Sequence, residues 1–243
     1  MAGHSKWANI QHRKKRQDAK RGKLFTKLIK EITVAARDGG GDADSNPRLR
    51  LALDKAFAGN MNKDTIEKAI NRGTGNLEGV NYEELTYEGY SSSGVAVIVE
   101  CVTDNKNRTV AAVRHAFTKF SGNLGSSGSV SYLFNKIGVI SFNETSKHEE
   151  IADLAIENNA IDIINEDNYV EIHTDKADFL NIAKVLKDNG FIFDNAELEM
   201  HAETKVELDD EGTENFLKFI DSLEEVDDVQ NVYTNAKYPQ TDN

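Results

Sequence analysis

Basic residues are concentrated near the amino end of this 243-residue chain. Residues 1–37 hold 11 Lys and Arg against 2 Asp and Glu, whereas the whole chain holds 29 against 41 and has a formal net charge of −12. Lys and Arg bind phosphate groups and displace their counterions. This density of positive charge predicts contact with a polyanion. The candidate nucleic-acid-binding residues are Lys6, Trp7, His12, Arg13, Lys14, Lys15, Lys20, Arg21, Lys23, Lys27 and Lys30.

Four of these lysines share one face of a predicted helix. Apolar residues recur at helical spacing from about Asp18 to Arg37, and they occupy a single arc: Leu24, Phe25, Leu28, Ile29, Ile32, Ala35 and Ala36. A stripe nearly opposite that arc consists of Lys20, Lys23, Lys27 and Lys30, and we call it the lysine stripe. We expect the apolar arc to pack and the lysine stripe to meet phosphates.

Other interpretations of the basic segment stay open. A charge run also suits a solvated helix face or an anionic membrane surface. Trp7 could stack on an exposed base, or it could anchor the amino-terminal arm on the helices that follow. Phosphate contacts do not distinguish DNA from ribosomal RNA, so both polymers fit the charge pattern.

The sequence predicts no catalytic or metal site. Its six histidines are scattered, no His-x-x-x-His pair occurs, and the single cysteine, Cys101, falls in a predicted buried strand. The glycine-rich segment 122–128 precedes a strand and opens no helix, so it predicts a turn and not a phosphate-binding loop. We therefore expect a protein that is not an enzyme, with no cofactor, no metal and no small-molecule substrate.

The composition also bears on location. No run approaches the roughly 18 apolar residues of a membrane span, and the first residues, Met-Ala-Gly-His-Ser-Lys-Trp, do not form a secretory signal. A lone cysteine cannot form an internal disulfide, which suits a reducing compartment. We expect a cytoplasmic protein that does not enter a membrane. Oligomeric state is left open.

Capping residues and turns divide the amino-terminal part into three helices. Gly39-Gly40-Gly41 ends the first helix, Asn46-Pro47 begins the second with Ser45 or Asn46 as its cap, and Asn62 caps the third. Beyond residue 82 strands and helices alternate. The pattern predicts a strand at Val95–Val102, a helix at Arg108–Phe120 and a strand at Ser129–Phe134.

The order of the later elements predicts nested domains. Residues 138–202 follow the order β-α-β-β-α-β of a ferredoxin-like unit, and the flanking segments 83–135 and 203–238 supply two halves of another. The predicted fold is α+β, an N-terminal three-helix module followed by two ferredoxin-like α+β domains, one inserted into the other. The predicted boundaries are 1–80 for the basic helical domain, 81–135 plus 203–243 for the α+β domain, and 136–202 for the inserted α+β domain.

Several motifs resemble the YebC/PmpR family across essentially the whole chain. The most specific is the opening stretch Ala2-Gly3-His4-Ser5-Lys6-Trp7-Ala8-Asn9-Ile10, followed by His12-Arg13-Lys14 and Asp18-Ala19-Lys20-Arg21-Gly22-Lys23. Others are Asn46-Pro47-Arg48-Leu49-Arg50, Tyr87-Glu88-Gly89-Tyr90, Thr103-Asp104-Asn105 with Asn107-Arg108-Thr109, and Gly125 with Gly128-Ser129-Val130.

This resemblance implies a cytoplasmic bacterial protein of three domains that binds DNA and regulates transcription. The family is also similar to a mitochondrial translational activator of cytochrome oxidase, and members have been linked to the ribosome and to relief of stalling at proline-rich stretches. A ribosome-associated factor that binds ribosomal RNA is therefore the alternative to a DNA-binding regulator. Two departures from the family pattern, Asn62 in place of a proline and the turn Ser91-Ser92-Ser93, loosen turns and remove no charge.

Overall fold

The computed structural model describes residues 21–143, 146–166 and 169–239. Its helices in these ranges are α1 Arg21–Gly39, α2 Pro47–Ala58, α3 Lys63–Gly73, α4 Lys106–Lys119, α5 His148–Glu157, α6 Phe179–Asp188 and α7 Asp210–Glu224. The strands are β1 Glu83–Tyr90, β2 Ala96–Thr103, β3 Asn123–Leu124, β4 Phe134–Phe142, β5 Ala160–Glu166, β6 Tyr169–Asp175, β7 Asn195–Ala202, β8 Val206–Glu207, β9 Val229–Thr234 and β10 Ala236–Lys237. The chain divides into two compact units, one formed by residues 1–133 and 202–243 and the other by 134–201.

The three helices α1 to α3 share one apolar core. It contains Leu28, Ile32, Ala35, Leu49, Ala52, Ala56, Met61, Ile66 and Ala69. The predicted caps are confirmed, because the Asn46 side chain accepts from Leu49 N at 3.1 Å and the Asn62 side chain accepts from Asp64 N at 2.9 Å. The Asn46 amide also donates to the carbonyls of Ala35 and Gly40, so it ties the end of α1 to the start of α2.

A four-stranded sheet in the order β3-β1-β2-β9 completes the first unit. Strand β2 is antiparallel to both β1 and β9, and every residue of β2 except Glu100 is buried. Helices α4 and α7 contribute to the same core, where Phe117 and Phe219 meet edge to face with ring centroids 5.0 Å apart. A separate parallel pair joins β8 to β10.

The second unit has the chain order β4-α5-β5-β6-α6-β7 and the sheet order β5-β6-β4-β7. This is the strand order of a ferredoxin-like sheet, as predicted. Strand β6 is antiparallel to both β4 and β5. The predicted α+β class with a helical amino-terminal region is confirmed. The division into three domains at 1–80, 81–135 plus 203–243 and 136–202 stays a prediction.

The strand predictions in the first unit were wrong in two places. The sequence did not predict β1, yet β1 lies between β3 and β2, where a ferredoxin-like sheet has its third strand. The segment 203–238 was predicted to supply one half of this unit, and ahead of α7 it supplies only the short β8. Of the predicted strand Ser129–Phe134, residues 129–133 form a loop with a 3₁₀ turn at Ser131–Leu133, and Phe134 begins β4. The strand that pairs with β1 on the side away from β2 is β3.

The side chain of Glu88 explains why residues 129–133 form a loop and not the predicted strand. The side chain of Glu88 accepts hydrogen bonds from the backbone N–H groups of Gly128, Val130 and Ser131, each at 2.8 Å. Those donors are therefore not available to a sheet ladder. Burial by itself raises the pKa of Glu88, but these three hydrogen bonds outweigh it and lower the pKa below the ordinary value. The loop is held in place by an ionised side chain.

Candidate nucleic-acid interface

Most of the predicted binding residues lie outside the described part of the chain. These are Lys6, Trp7, His12, Arg13, Lys14, Lys15 and Lys20. Arg21 is the first described residue of α1, but its side chain is not described. The structure therefore bears on the last three positions, Lys23, Lys27 and Lys30. All three lie on the same side of α1, as the helical spacing predicted.

Lys30 is buried and its ammonium group is fully used inside the protein. Only 6 % of the residue is exposed. Nζ donates to the carbonyl oxygens of Val102 and Asp227, each at 3.0 Å, and to Oδ1 of Asp228 at 2.8 Å. An ammonium group has three hydrogens, and three acceptors are present. The prediction of Lys30 as a phosphate contact was therefore wrong, because α1 packs this side against the sheet.

The other two lysines of the stripe meet the same part of the chain. Lys27 Nζ donates to the carbonyl of Gln230 at 2.9 Å. Lys23 Nζ donates to the carbonyl of Glu225 and lies 3.3 Å from the carboxylate of Asp227. Both side chains are only partly buried. The described lysine stripe thus faces the segment 225–230, which leads from α7 into β9.

Asp228 is the centre of the contact between α1 and the sheet. It forms what we call the Asp228 cluster, which consists of Lys30, Thr103, Arg108, Thr109 and Asp228. Arg108 Nη2 and Thr109 Oγ1 each lie 2.8 Å from Oδ2 of Asp228, and Thr109 also contacts Thr103 at 2.8 Å. Burial alone raises the pKa of Asp228, but hydrogen bonds from Lys30, Arg108 and Thr109 outweigh it and lower the pKa to about 2.

Sequence reasoning missed Asp228. The residue lies in the run Glu224-Glu225-Val226-Asp227-Asp228, where nothing local separates a buried carboxylate from its solvated neighbours. The only signal is its position directly before the β-branched strand β9. Lys30 and Asp228 are 198 positions apart, so no spacing rule pairs them.

A second ion cluster joins the helices to the sheet. Arg48 of α2 contacts Glu31 of α1 and Glu84 of β1, each at 2.7 Å. Burial alone lowers the pKa of Arg48, but the hydrogen bonds to these carboxylates outweigh it and raise the pKa. Nearby, a cleft of about 240 Å³ is lined by Thr33, Arg37 and Arg72 and by several residues between Gly73 and Tyr82. The guanidinium of Arg37 donates to the carbonyl of Tyr82 and to Asp38.

The described residues contain no arrangement for metal binding or for a reactive thiol. In ranges 21–143, 146–166 and 169–239, no group of three or more His, Cys, Asp or Glu side chains could hold a metal ion. Cys101 lies in β2 as predicted, and burial raises the pKa of its thiol to about 12. No helix in these ranges has both the length and the apolar character required to cross a bilayer.

Comparison with known proteins gives a consistent result along the chain. Residues 5–76 match the family model described as the TACO1/YebC protein N-terminal domain, and residues 82–236 match the one described as the TACO1/YebC second and third domain. Proteins from Francisella tularensis strain SCHU S4 and from Nitrosococcus oceani are each 57 % identical over 241 residues. The match covers 99 % of this chain and 97 % of theirs, and each is named a probable transcriptional regulatory protein.

A solved structure shows the same fold. It is the crystal structure of the conserved hypothetical protein Aq1575 from Aquifex aeolicus, with a TM-score of 0.85 and 44 % identity. The match covers 92 % of this chain and 93 % of that one.

Proposed function

The chain belongs to the TACO1/YebC family, and from this premise we propose that it regulates gene expression by binding nucleic acid through its basic amino-terminal segment. DNA is the first candidate partner, since the relatives from F. tularensis and N. oceani are named probable transcriptional regulatory proteins. The observation that carries the proposal is the segregation of charge, with 11 basic and 2 acidic residues in 1–37 of a chain whose net charge is −12. Regulation, and not catalysis, is the proposed role.

The packing of α1 narrows the proposed interface. Because Lys30 is buried and Lys23 and Lys27 contact the segment 225–230, the proposed phosphate contacts are those that precede them in the chain. They are Lys6, His12, Arg13, Lys14, Lys15, Lys20 and Arg21, with Trp7 beside them. Phosphate contacts of this kind give affinity that does not depend on sequence and that weakens as salt rises.

Ribosomal RNA is the second candidate, and one observation favours it. Helix α1 directs its described lysines at carbonyl and carboxylate groups of the chain itself, so it does not present them as a recognition helix would in a major groove. An interface made of phosphate contacts alone serves a folded RNA as well as a duplex. If ribosomal RNA is the partner, the proposed role is that of a translation factor that acts on the ribosome.

A charge-neutralising variant tests the proposal on the full chain. We expect Arg13, Lys14, Lys15 and Lys20→Gln to weaken binding to a labelled DNA duplex. For each phosphate that the variant no longer neutralises, the slope of log affinity against log salt should fall by about 0.9 on a duplex and about 0.7 on a single strand. Lys30 is left unchanged, because replacing it would disrupt the Asp228 cluster and confuse binding with folding. Fluorescence anisotropy over a salt series measures both quantities.

A matched control makes the same change of charge elsewhere. Lys176, Lys184, Lys187 and Lys218→Gln also removes four exposed cations. If both variants bind alike, the amino-terminal interface is refuted.

To distinguish DNA from ribosomal RNA as the partner, cell extracts are sedimented with and without nuclease. Movement with the nucleoid supports DNA, and movement with ribosomes supports ribosomal RNA.

A further inference from the structure

Two arginines from crossing helices line the cleft of about 240 Å³, which we call the Arg37–Arg72 cleft. Arg37 lies in the last turn of α1, and Arg72 lies in the last turn of α3. The two helices approach so closely at Gly73 that a Cβ there would lie 3.0 Å from the backbone nitrogen of Arg37. The crossing of α1 and α3 therefore brings two guanidinium groups to one cleft.

The other described residues that line the Arg37–Arg72 cleft carry no charge. They are Thr33, Gly73, Gly75, Leu77, Gly79, Val80, Asn81 and Tyr82. The carboxylate of Asp38 accepts from Nε of Arg37 at 2.9 Å, but Asp38 does not line the cleft. The same carboxylate also lies 3.4 Å from Nη1 of Arg48, so its charge is shared between two arginines. The cleft thus keeps an excess of positive charge.

The guanidinium of Arg72 has no internal role in the described part of the chain. The residue is exposed, and its side chain forms no hydrogen bond or ion pair there. A cation in the last turn of a helix can serve the terminal carbonyl groups. In α3, however, the carbonyl of Asn71 already accepts from the backbone N–H groups of Asn76 and Leu77. The charge of Arg72 is therefore available for a ligand.

Both arginine side chains are held at the cleft by the protein itself. The stem of Arg72 packs against Gly79, where a Cβ would lie 3.0 Å from Cγ and 3.1 Å from Cδ of the arginine. Arg37 donates to Asp38 and to the carbonyl of Tyr82, and these two bonds leave three of its five N–H groups for a ligand. A planar guanidinium that is already positioned loses little side-chain entropy when it binds.

The backbone of the segment 78–81 adds further donors. None of these four residues forms a hydrogen bond within the described part of the chain. Gly79 and Val80 line the cleft, and the side chain of Glu78 does not. Arginine forks and backbone N–H groups are the donors with which proteins bind phosphate oxygens.

We propose that the Arg37–Arg72 cleft binds a terminal phosphate group, carried by a free nucleotide or by the end of a nucleic-acid strand. A phosphate monoester has a charge of about −1.5 to −2 at pH 7 and three acceptor oxygens. It suits two guanidinium groups better than a carboxylate, which has a single charge and two oxygens.

The size of the cleft limits what enters it. Its volume of about 240 Å³ is smaller than the roughly 300–1,000 Å³ of sites that enclose a whole small molecule. The cleft therefore takes the phosphate and leaves the rest of the ligand outside. Leu77 and Val80, which are 42 % and 50 % exposed, provide an apolar contact for that remaining part. The inference does not rest on the proposed function, since neither arginine belongs to the amino-terminal interface.

A titration of the full chain with methyl phosphate at constant ionic strength tests the site. The amide resonances of Gly79 and Val80 in ¹⁵N-labelled protein should shift as the probe binds. Arg72→Gln should weaken binding by about tenfold or more, because a charge-assisted pair of hydrogen bonds is lost. The matched control is Lys63→Gln, which removes one exposed cation from the first turn of the same helix, about 14 Å away.

Unchanged affinity in Lys63→Gln supports the site, and equal affinities in the two variants overturn it. Thermal unfolding without the probe confirms that both variants are folded. If the Gly79 and Val80 resonances do not shift in the unchanged protein, the inference is also overturned.

The charge of the probe tests the preference for a terminal phosphate. Methyl phosphate loses its second charge near pH 6, so its binding should weaken as the pH falls from about 7.5 to about 5.5. The described lining residues include no Asp, Glu or His that would titrate in this range. Dimethyl phosphate keeps one charge throughout and should bind more weakly, with no pH dependence. Equal binding of the two probes at pH 7.5 would refute the assignment to a terminal phosphate.

Two further probes identify the source of the phosphate. Binding of AMP that is weakened by Arg72→Gln supports a free nucleotide. A 5′-phosphate that raises the affinity of an oligonucleotide for the unchanged protein, but not for Arg72→Gln, supports a nucleic-acid end. If neither probe depends on Arg72, the inference is overturned.

The same variants keep this inference distinct from the proposed function. Arg13, Lys14, Lys15 and Lys20→Gln should bind methyl phosphate as the unchanged protein does. If methyl phosphate does not bind but duplex DNA does, the cleft fails and the proposed function stands. If methyl phosphate binds in an Arg72-dependent manner and neither DNA nor RNA binds, the cleft stands and the proposed function fails.

Discussion

Asp228 is the residue on which the attachment of α1 to the sheet depends most. Its carboxylate accepts from Lys30, Arg108 and Thr109, which belong to two different helices. Lys30 and Asp228 are both nearly inaccessible, with side chains 8 % and 6 % exposed. A buried ion pair gives little net stability relative to apolar residues, but removal of one partner leaves an uncompensated charge in the interior.

Replacing Asp228 by Ala should therefore destabilise the protein strongly. We expect Asp228→Ala to lower the free energy of unfolding by about 3 kcal/mol, because Lys30 would stay buried without its counter-ion. Urea unfolding followed by circular dichroism measures this change. The neighbouring Asp227→Ala is the control, since its side chain is 83 % exposed and its surface ion pair contributes at most about 1 kcal/mol. Equal losses in the two variants would contradict the role assigned to Asp228.

The stability difference between the unchanged protein and Asp228→Ala should also depend on pH, and its sign follows from the pKa of Asp228. The folded state holds this pKa at about 2, below the ordinary value of about 3.9 in an unfolded chain. The stabilisation is thus present above about pH 4 and is lost as the pH falls through about 2. We expect the gap in stability between the unchanged protein and Asp228→Ala to narrow as the pH is lowered. A gap that widens toward acid would show that Asp228 is not held ionised.

At the scale of elements, α1 is packed on two sides. Its apolar side contributes Leu28, Ile32 and Ala35 to the helical core, while Lys30 on another side contacts β2 and the segment before β9. Helix α3 crosses α1 at Gly73, where a Cβ would lie 2.3 Å from the carbonyl of Thr33. Only glycine allows this approach, so the crossing depends on one position.

Gly73→Ala should separate α1 from α3. The added methyl group would overlap the Thr33 carbonyl and the Ala36 side chain, and overpacking of this kind costs about 1–3 kcal/mol. Gly59→Ala is the matched control, because its φ of −76° suits alanine and the nearest atom, the Lys55 carbonyl, would lie 3.3 Å away. Thermal unfolding compares the two. A larger loss in Gly59→Ala than in Gly73→Ala would contradict this account of the crossing.

At the scale of the whole molecule, the division into two compact units predicts two levels of local stability. Amide hydrogen exchange detects cooperative parts of a protein that open separately. We expect Asp228→Ala to reduce the protection of amides in α1, β2 and β9, which meet at the Asp228 cluster. Amides in β4 and β6 of residues 134–201 should keep the protection they have in the unchanged protein. An equal loss in both groups would show that the chain opens as one unit.

The local features of the fold were the most predictable. Asn46 and Asn62 cap helices as expected because a cap depends on a few neighbouring residues. The ferredoxin-like order of residues 134–201 was also predictable, since its strands and helices have strong periodicity. Strand β1 was not predicted because Glu83, Glu84 and Glu88 make it look like a polar loop. Glu88 is nevertheless buried, because it binds the loop 128–131.

The sequence by itself determined where charge accumulates and which lysines share one face of α1, because both depend on composition and helical spacing. Only the tertiary structure decided what that face meets. Lys30 contacts Asp228 across 198 positions, and burial changes the role of an ammonium group from a free phosphate ligand to an internal donor. Periodicity specifies the direction of a side chain, but its partner depends on which distant segment folds against it, and that is a property of packing.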